Sequence, residues 1–247
     1  MSLRTPERVK VKHGWAPSWR RLPQQEQISV VRVRVWQLPV RIIHWTIVAC
    51  IVVLSATGFY IGTPFFNAGS GSAFLMGKVR AVHLVAGWIL FTAVAARIYW
   101  AFVGNRWARW NQFIPTTKAR LKLIPYTIGY YLFRHREPPP VAGHNPLAGL
   151  TYVGVFGLII VQMVTGVALA RLAGNRTGII WFLTGWVFNI ASIPTVRMVH
   201  HMIMWLLLGF MVHHVYSVIL VDSEERSGLL SSIVTGDKTI PEERCCD

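Results

Sequence analysis

Cysteine is scarce in this 247-residue chain, which has three: Cys50, Cys245 and Cys246. Such a set makes no disulfide framework, and the adjacent Cys245 and Cys246 are too close to suggest a metal site by themselves. Cys50 reads as a small core residue. Acidic side chains are also few, 10 against 25 lysines and arginines, leaving a formal net charge of +15. A nucleic-acid partner would suit that surplus, but no aromatic–basic repeat or recognition motif accompanies it. Membrane topology and anionic headgroups account for it better. The first apolar run is not expected to be a cleaved leader, because it begins late and no clear small-residue cleavage site precedes Gly58.

What the chain does have is apolar sequence in long runs, with 53% hydrophobic residues and a mean hydropathy of +0.43. The clearest runs are Ile42–Ile61, Val79–Val103, Leu147–Ala170 and Met198–Val221. Each has the length that about 30 Å of hydrocarbon demands at about 1.5 Å per residue. The runs predict an all-α fold, an integral membrane four-helix bundle over residues 36–222. An N-terminal cytoplasmic or interfacial segment (1–35) and a cytoplasmic tail (223–247) flank it. A further stretch, 177–193, is shorter, is interrupted by Gly185 and Asn189, and runs into Pro194. It reads as an interfacial or half-buried segment.

Orientation follows from the cations. Nine lysines and arginines precede Ile42, and seven lie in the long middle loop: Arg106, Arg109, Lys118, Arg120, Lys122, Arg134 and Arg136. The first loop, Gly62–Lys78, holds one, and the third holds Arg171 and Arg176. This bias puts the N-terminal segment and the middle loop in the cytoplasm, and with four spans the C-terminal tail as well. The aromatic stretches Trp107–Trp110 and Tyr126–Phe133 read as interface anchors on that side. Trp15 and Trp19 are expected to lie on the membrane or to remain flexible.

The histidines carry the chemistry. His44, His83, His200, His201 and His214 fall in or at the edges of the apolar runs, and His213 adjoins the last. An imidazole in hydrocarbon needs a partner. With the topology above, His44 lies near the inner end of span one and His83 near the outer end of span two. His200 lies near the outer end of span four, and His214 is about 21 Å deeper on the same face, close to four turns on. Two level pairs result: His83 with His200 outside, and His44 with His214 inside. His201 and His213 each point about a quarter turn away.

Each pair can clamp one flat macrocycle, since neutral imidazole is an axial ligand for haem iron and two per iron leave no open position. A structural zinc would want four ligands close together rather than pairs separated by most of the membrane. No Cys-x-x-Cys-His attachment sequence is present, so the haems are expected to be non-covalent and b-type. Gly58, fourteen residues beyond His44 on the same face, leaves room at the depth of the outer pair. Gly87, Gly157, Gly166 and Gly209 do so elsewhere or simply let helices pack closely. Arg41 and Arg197, each three residues before a candidate ligand, are candidate propionate partners, and Lys78 and Arg80 flank the outer mouth of span two. Near the cytoplasmic ends of spans one and four, Arg41, His44, His213 and Tyr216 offer polar groups where a quinone can sit.

Two stretches carry a family resemblance. Arg41-Ile42-Ile43-His44-Trp45 continues through Leu54 to Thr57-Gly58. Arg197-Met198-Val199-His200-His201 is followed by Trp205, Phe210 and His214. Thr46 departs from the usual aliphatic choice. Over about residues 30–222 the chain resembles the b-type cytochrome subunit of membrane-bound nickel–iron hydrogenases, and more distantly the cytochrome subunit of membrane formate dehydrogenases. The resemblance implies two b haems held by ligands from helices one, two and four, carried over here to His44, His83, His200 and His214. It implies a periplasmic small subunit with iron–sulfur clusters and a large subunit with the nickel–iron centre as partners. Electrons from hydrogen would enter outside, cross the bacterial inner membrane and reduce a quinone. The residues alone leave open a formate dehydrogenase or another periplasmic oxidoreductase as partner. A haem-free transporter or channel would instead call for broken helices or a polar path at the midplane.

Overall fold

The computed structural model describes residues 8–10, 29–65, 74–132, 134, 145–172, 174, 176–225 and 227–241; Trp15, Trp19, Cys245 and Cys246 lie outside them. In chain order the elements are strands β1 (Arg8–Lys10) and β2 (Ser29–Arg34), then helices α1 (Leu38–Gly62) and α2 (Leu75–Val103). A 3-10 turn at Trp110–Gln112 leads to α3 (Lys118–Tyr131) and α4 (Pro146–Arg171). Short helices α5 (Gly178–Thr184) and α6 (Val187–Ile190) precede α7 (Ile193–Glu225), α8 (Leu229–Thr235) and strand β3 (Asp237–Pro241).

Helices α1, α2, α4 and α7 are the four long and apolar enough to cross a membrane among the described residues. Each contains one of the apolar runs and begins before it. Proline explains three of the early starts: Pro39, Pro146 and Pro194 all stand in a first turn, where a missing N–H leaves no helical bond unmade. Only 11–22% of each span's most apolar window is buried within the protein. Val85, Phe102, Met202 and Val212 are among the side chains turned outward, as lipid-facing surface requires. The 177–193 stretch forms α5 and α6, broken at Gly185 and Trp186, with Ile179, Phe182 and Ile190 exposed.

The chain divides into two units. One comprises residues 43–98 and 154–212 and is a bundle of four helical segments. Cys50 of α1, Leu90 and Val94 of α2, Ile159 of α4, and Ile203 and Leu207 of α7 form its core. Cys50 is a free, buried thiol there.

The other unit comprises residues 1–42, 99–153 and 213–247. It holds what an all-helical reading left out, a three-stranded antiparallel sheet in the order β1-β2-β3. Val31 pairs with Ile240 and Val33 with Lys238, so a segment preceding the first span is zipped to one following the last. Val35 and Trp107 are buried together with Val33 and Trp36 against them. Trp36 Nε1 donates to Ser232 Oγ (2.9 Å), while Trp100 Nε1 and the Asn105 amide both donate to Gln37 Oε1 (2.9 and 3.0 Å). Gly236 turns α8 into β3 with φ +91, a left-handed conformation open to glycine. A Cβ there would also stand 2.8 Å from the Trp36 carbonyl.

Candidate functional site

Within the bundle unit, α2 and α7 bring His83 and His200 together. Their ring centres are 6.5 Å apart with planes at 59°, and both rings are half-buried. Two imidazoles on opposite sides of one metal, with metal–nitrogen bonds of about 2 Å, hold their ring centres roughly 6 Å apart. Rotation of one ring about the shared axis leaves that spacing unchanged. The spacing fits a pair of residues that would hold one metal centre between them, and a haem held there would supply one-electron chemistry. Among the described residues no group of three or more His, Cys, Asp or Glu side chains is placed to hold a metal ion.

Both rings are held from behind in the same way. Thr57 Oγ1 of α1 lies 2.8 Å from His83 Nδ1, and Thr165 Oγ1 of α4 lies 2.9 Å from His200 Nδ1. A glycine follows each threonine. A Cβ on Gly58 would lie 3.6 Å from His83 Cε1 and 3.5 Å from Met204 Sδ, and one on Gly166 would lie 3.0 Å from His200 Cε1. Gly166 thus admits the His200 imidazole closely, while a Cβ at Gly58 would make ordinary contact with His83 and Met204. At Gly87, Gly157 and Gly209 a Cβ would meet nothing within 4 Å.

His201, one residue on, packs on the end of α1, where a Cβ at Gly62 would lie 2.7 Å from its Cε1. His44 meets Trp45 edge-on, with ring centres 5.2 Å apart at 87°.

In the sheet-bearing unit, His214 Nδ1 lies 3.4 Å from Tyr152 Oη, with ring centres 5.8 Å apart. His213 and Tyr216 are exposed. Arg41 donates from Nη1 to the Val234 carbonyl at the end of α8, a favourable place for a cation on a helix dipole. Its buried Nε has no partner among the described residues. Arg197, in the bundle unit, is exposed in the first turns of α7, as are Lys78 and Arg80 near the start of α2.

Thr165, Met204 and Tyr152 are contacts that sequence reasoning passed over, and Thr57 was noticed only as part of a motif. A weak signal was present: of the five Thr-Gly dipeptides in the chain, two lie within the long apolar runs, at 57–58 and 165–166, in the two spans that carry neither His83 nor His200.

Four membrane-length helices with a facing imidazole pair among them define a multi-span membrane protein with a candidate two-histidine centre. Residues 35–236 match the family described as prokaryotic cytochrome b561, and the chain belongs to that family. Three relatives illustrate the similarity. A probable Ni/Fe-hydrogenase B-type cytochrome subunit of Rhizobium leguminosarum bv. viciae is 37% identical over 219 residues, covering 87% of this chain and 92% of the relative. The protein so described in Bradyrhizobium diazoefficiens is 38% identical over 211 residues, covering 83% and 85%. A probable Ni/Fe-hydrogenase 1 B-type cytochrome subunit of Escherichia coli (strain K12) is 34% identical over 224 residues, covering 86% and 93%.

Proposed function

We propose that this chain is the electron-transfer and anchoring subunit of a membrane-bound nickel–iron hydrogenase, carrying electrons from the periplasmic enzyme to the quinone pool. The 6.5 Å separation of the His83 and His200 rings inside a bundle of membrane-length helices supports electron transfer, and the similarity to Ni/Fe-hydrogenase B-type cytochrome subunits carries the choice of partner. Bound haem b supplies a reversible one-electron change at that point. As a cytochrome subunit the chain conducts electrons and does not itself activate hydrogen. Its partners are the small subunit with iron–sulfur clusters and the large subunit with the nickel–iron centre.

A second haem is assigned to His44 and His214. Fourteen residues separate His44 from Gly58 on α1, and fourteen separate His200 from His214 on α7, about 21 Å of helix in each case. On both helices that interval runs from the outer pair to the opposite end of the span. Arg41 and Arg197 are assigned to the propionates. The partnerless buried Nε of Arg41 supports this, because a carboxylate would satisfy it.

The termini are assigned to the cytoplasmic side of the inner membrane. Pairing of β2 with β3 supports this, since it joins the segments before α1 and after α7, in keeping with an even number of spans. Trp107 of the basic middle loop packs on Val35 in the same unit, and cationic loops face the cytoplasm.

The test is a haem count on the purified hydrogenase complex. Reduced-minus-oxidised spectra and pyridine haemochrome assay should give two haems b per chain, falling to one in His83→Ala or His200→Ala. A chain without haem, from cells that make and insert it, would overturn the reading.

A further inference from the structure

The two threonines do more than fill space behind the imidazoles. Thr57 Oγ1 lies 2.7 Å from the Val53 carbonyl and 3.2 Å from that of Leu54, as well as 2.8 Å from His83 Nδ1. Thr165 Oγ1 repeats the arrangement, 2.8 Å from Val161 O, 3.1 Å from Gln162 O and 2.9 Å from His200 Nδ1. A hydroxyl has one proton to give and lone pairs to receive with, whereas a carbonyl oxygen only receives. Were the proton directed at Nδ1, the oxygen would face the carbonyl at 2.7–2.8 Å with lone pairs opposed. The proton therefore goes to the carbonyl of the preceding turn, a bond threonine commonly makes in helices. The hydroxyl is left as an acceptor for an Nδ1 hydrogen, which the Leu54 and Gln162 carbonyls beside His83 and His200 can share. In a neutral imidazole the other nitrogen, Nε2, is then unprotonated and free to bind a metal.

We propose that Thr57 and Thr165 are positioning residues that hold His83 and His200 in the Nδ1-protonated tautomer and make Nε2 the iron-binding nitrogen of each. The inference rests on the outer-haem reading given above and adds the groups that prepare its ligands. Ligand histidines elsewhere donate their second ring N–H to a carboxylate, carbonyl or water, which fixes the tautomer and raises ligand basicity. A threonine hydroxyl anchored on its own helix does the same within hydrocarbon, without bringing a charge there. Gly166 completes the cradle of His200, since a Cβ there would press on the ring at 3.0 Å.

The experiment uses the full chain in the purified complex, with Thr57→Val, Thr165→Val and the corresponding serine variants. Potentiometric titration reads the outer haem, identified as the component lost in His83→Ala, and transfer to apomyoglobin reads its release. Each valine variant should hold the outer haem about 10–100-fold more weakly, read as faster transfer, and raise its midpoint potential, because a less basic imidazole favours ferrous iron. Each serine variant should restore both properties, and the inner component should stay unchanged throughout. Valine variants with wild-type potential and release would overturn the proposal and leave the haem assignment standing. So would serine variants that behave like valine. If His83→Ala kept both haems, the outer-haem reading would fall, and this inference with it.

Discussion

Gly62, the last residue of α1, occupies the place where a side chain would meet the imidazole of His201: a Cβ there would lie 2.7 Å from Cε1 and 2.9 Å from Nε2. The histidine beside a proposed ligand is thus committed to packing against a helix end. Two adjacent imidazoles on α7 have different duties because successive residues of a helix point about 100° apart.

His201→Ala should therefore leave two haems per chain, measured by pyridine haemochrome. Gly62→Ala should also keep both haems but lower stability by about 1–3 kcal/mol, the usual cost of overpacking, read as earlier thermal loss of the haem absorbance in detergent. Loss of a haem in His201→Ala would show that the wrong neighbour had been chosen as ligand.

If His83 and His200 hold one haem between them, loss of the two is non-additive. His83→Ala and His200→Ala should each remove the same haem, and the double variant should remove no more than either alone. A stepwise loss of two haems across this series would contradict the pairing.

Gly166, behind His200, should differ sharply from the glycines facing open space. At Gly166 an added Cβ would lie 3.0 Å from His200 Cε1, while at Gly157 it would meet nothing within 4 Å. Gly166→Leu should displace the ring and strip the outer haem, whereas Gly157→Ala should change neither haem content nor potential. Spectral titration of the two variants side by side provides the comparison.

Tyr152 offers a weaker version of the threonine contact. Its hydroxyl is 3.4 Å from His214 Nδ1, at the long limit of a hydrogen bond. Tyr152→Phe should retain the inner haem and shift its potential less than Thr57→Val shifts the outer one. An equal or larger shift would mean that the contact shortens when the complex assembles.

Arg41 links α1 to the end of α8 through the Val234 carbonyl. Arg41→Ala should loosen residues 229–241, seen as faster proteolysis at the C-terminus in inside-out vesicles. Protease resistance equal to wild type would show that Trp36 and the strand pairing suffice.

The four spans were legible because hydrocarbon thickness imposes a length that the apolar runs display openly. Their true ends were less so, because a helix continues past its apolar run until backbone chemistry stops it, as α1 does before Thr63. The sheet went unread although Val31, Val33 and Val35 alternate with Arg32 and Arg34. Its partner strand lies some two hundred residues away, across four spans. Alternation marks a strand but does not name what it pairs with.

From the sequence alone came the membrane, the number of spans, and the choice of His83 and His200 as partners, since helical rise and topology place both near one end of the bundle. The backing of those rings by Thr57, Gly58, Thr165 and Gly166 was decided only by tertiary structure. Span one must pack against span two, and span three against span four, before a hydroxyl on one helix can meet a nitrogen on the next. Spacing along a chain sets depth and face, whereas contact across helices depends on which neighbours they choose.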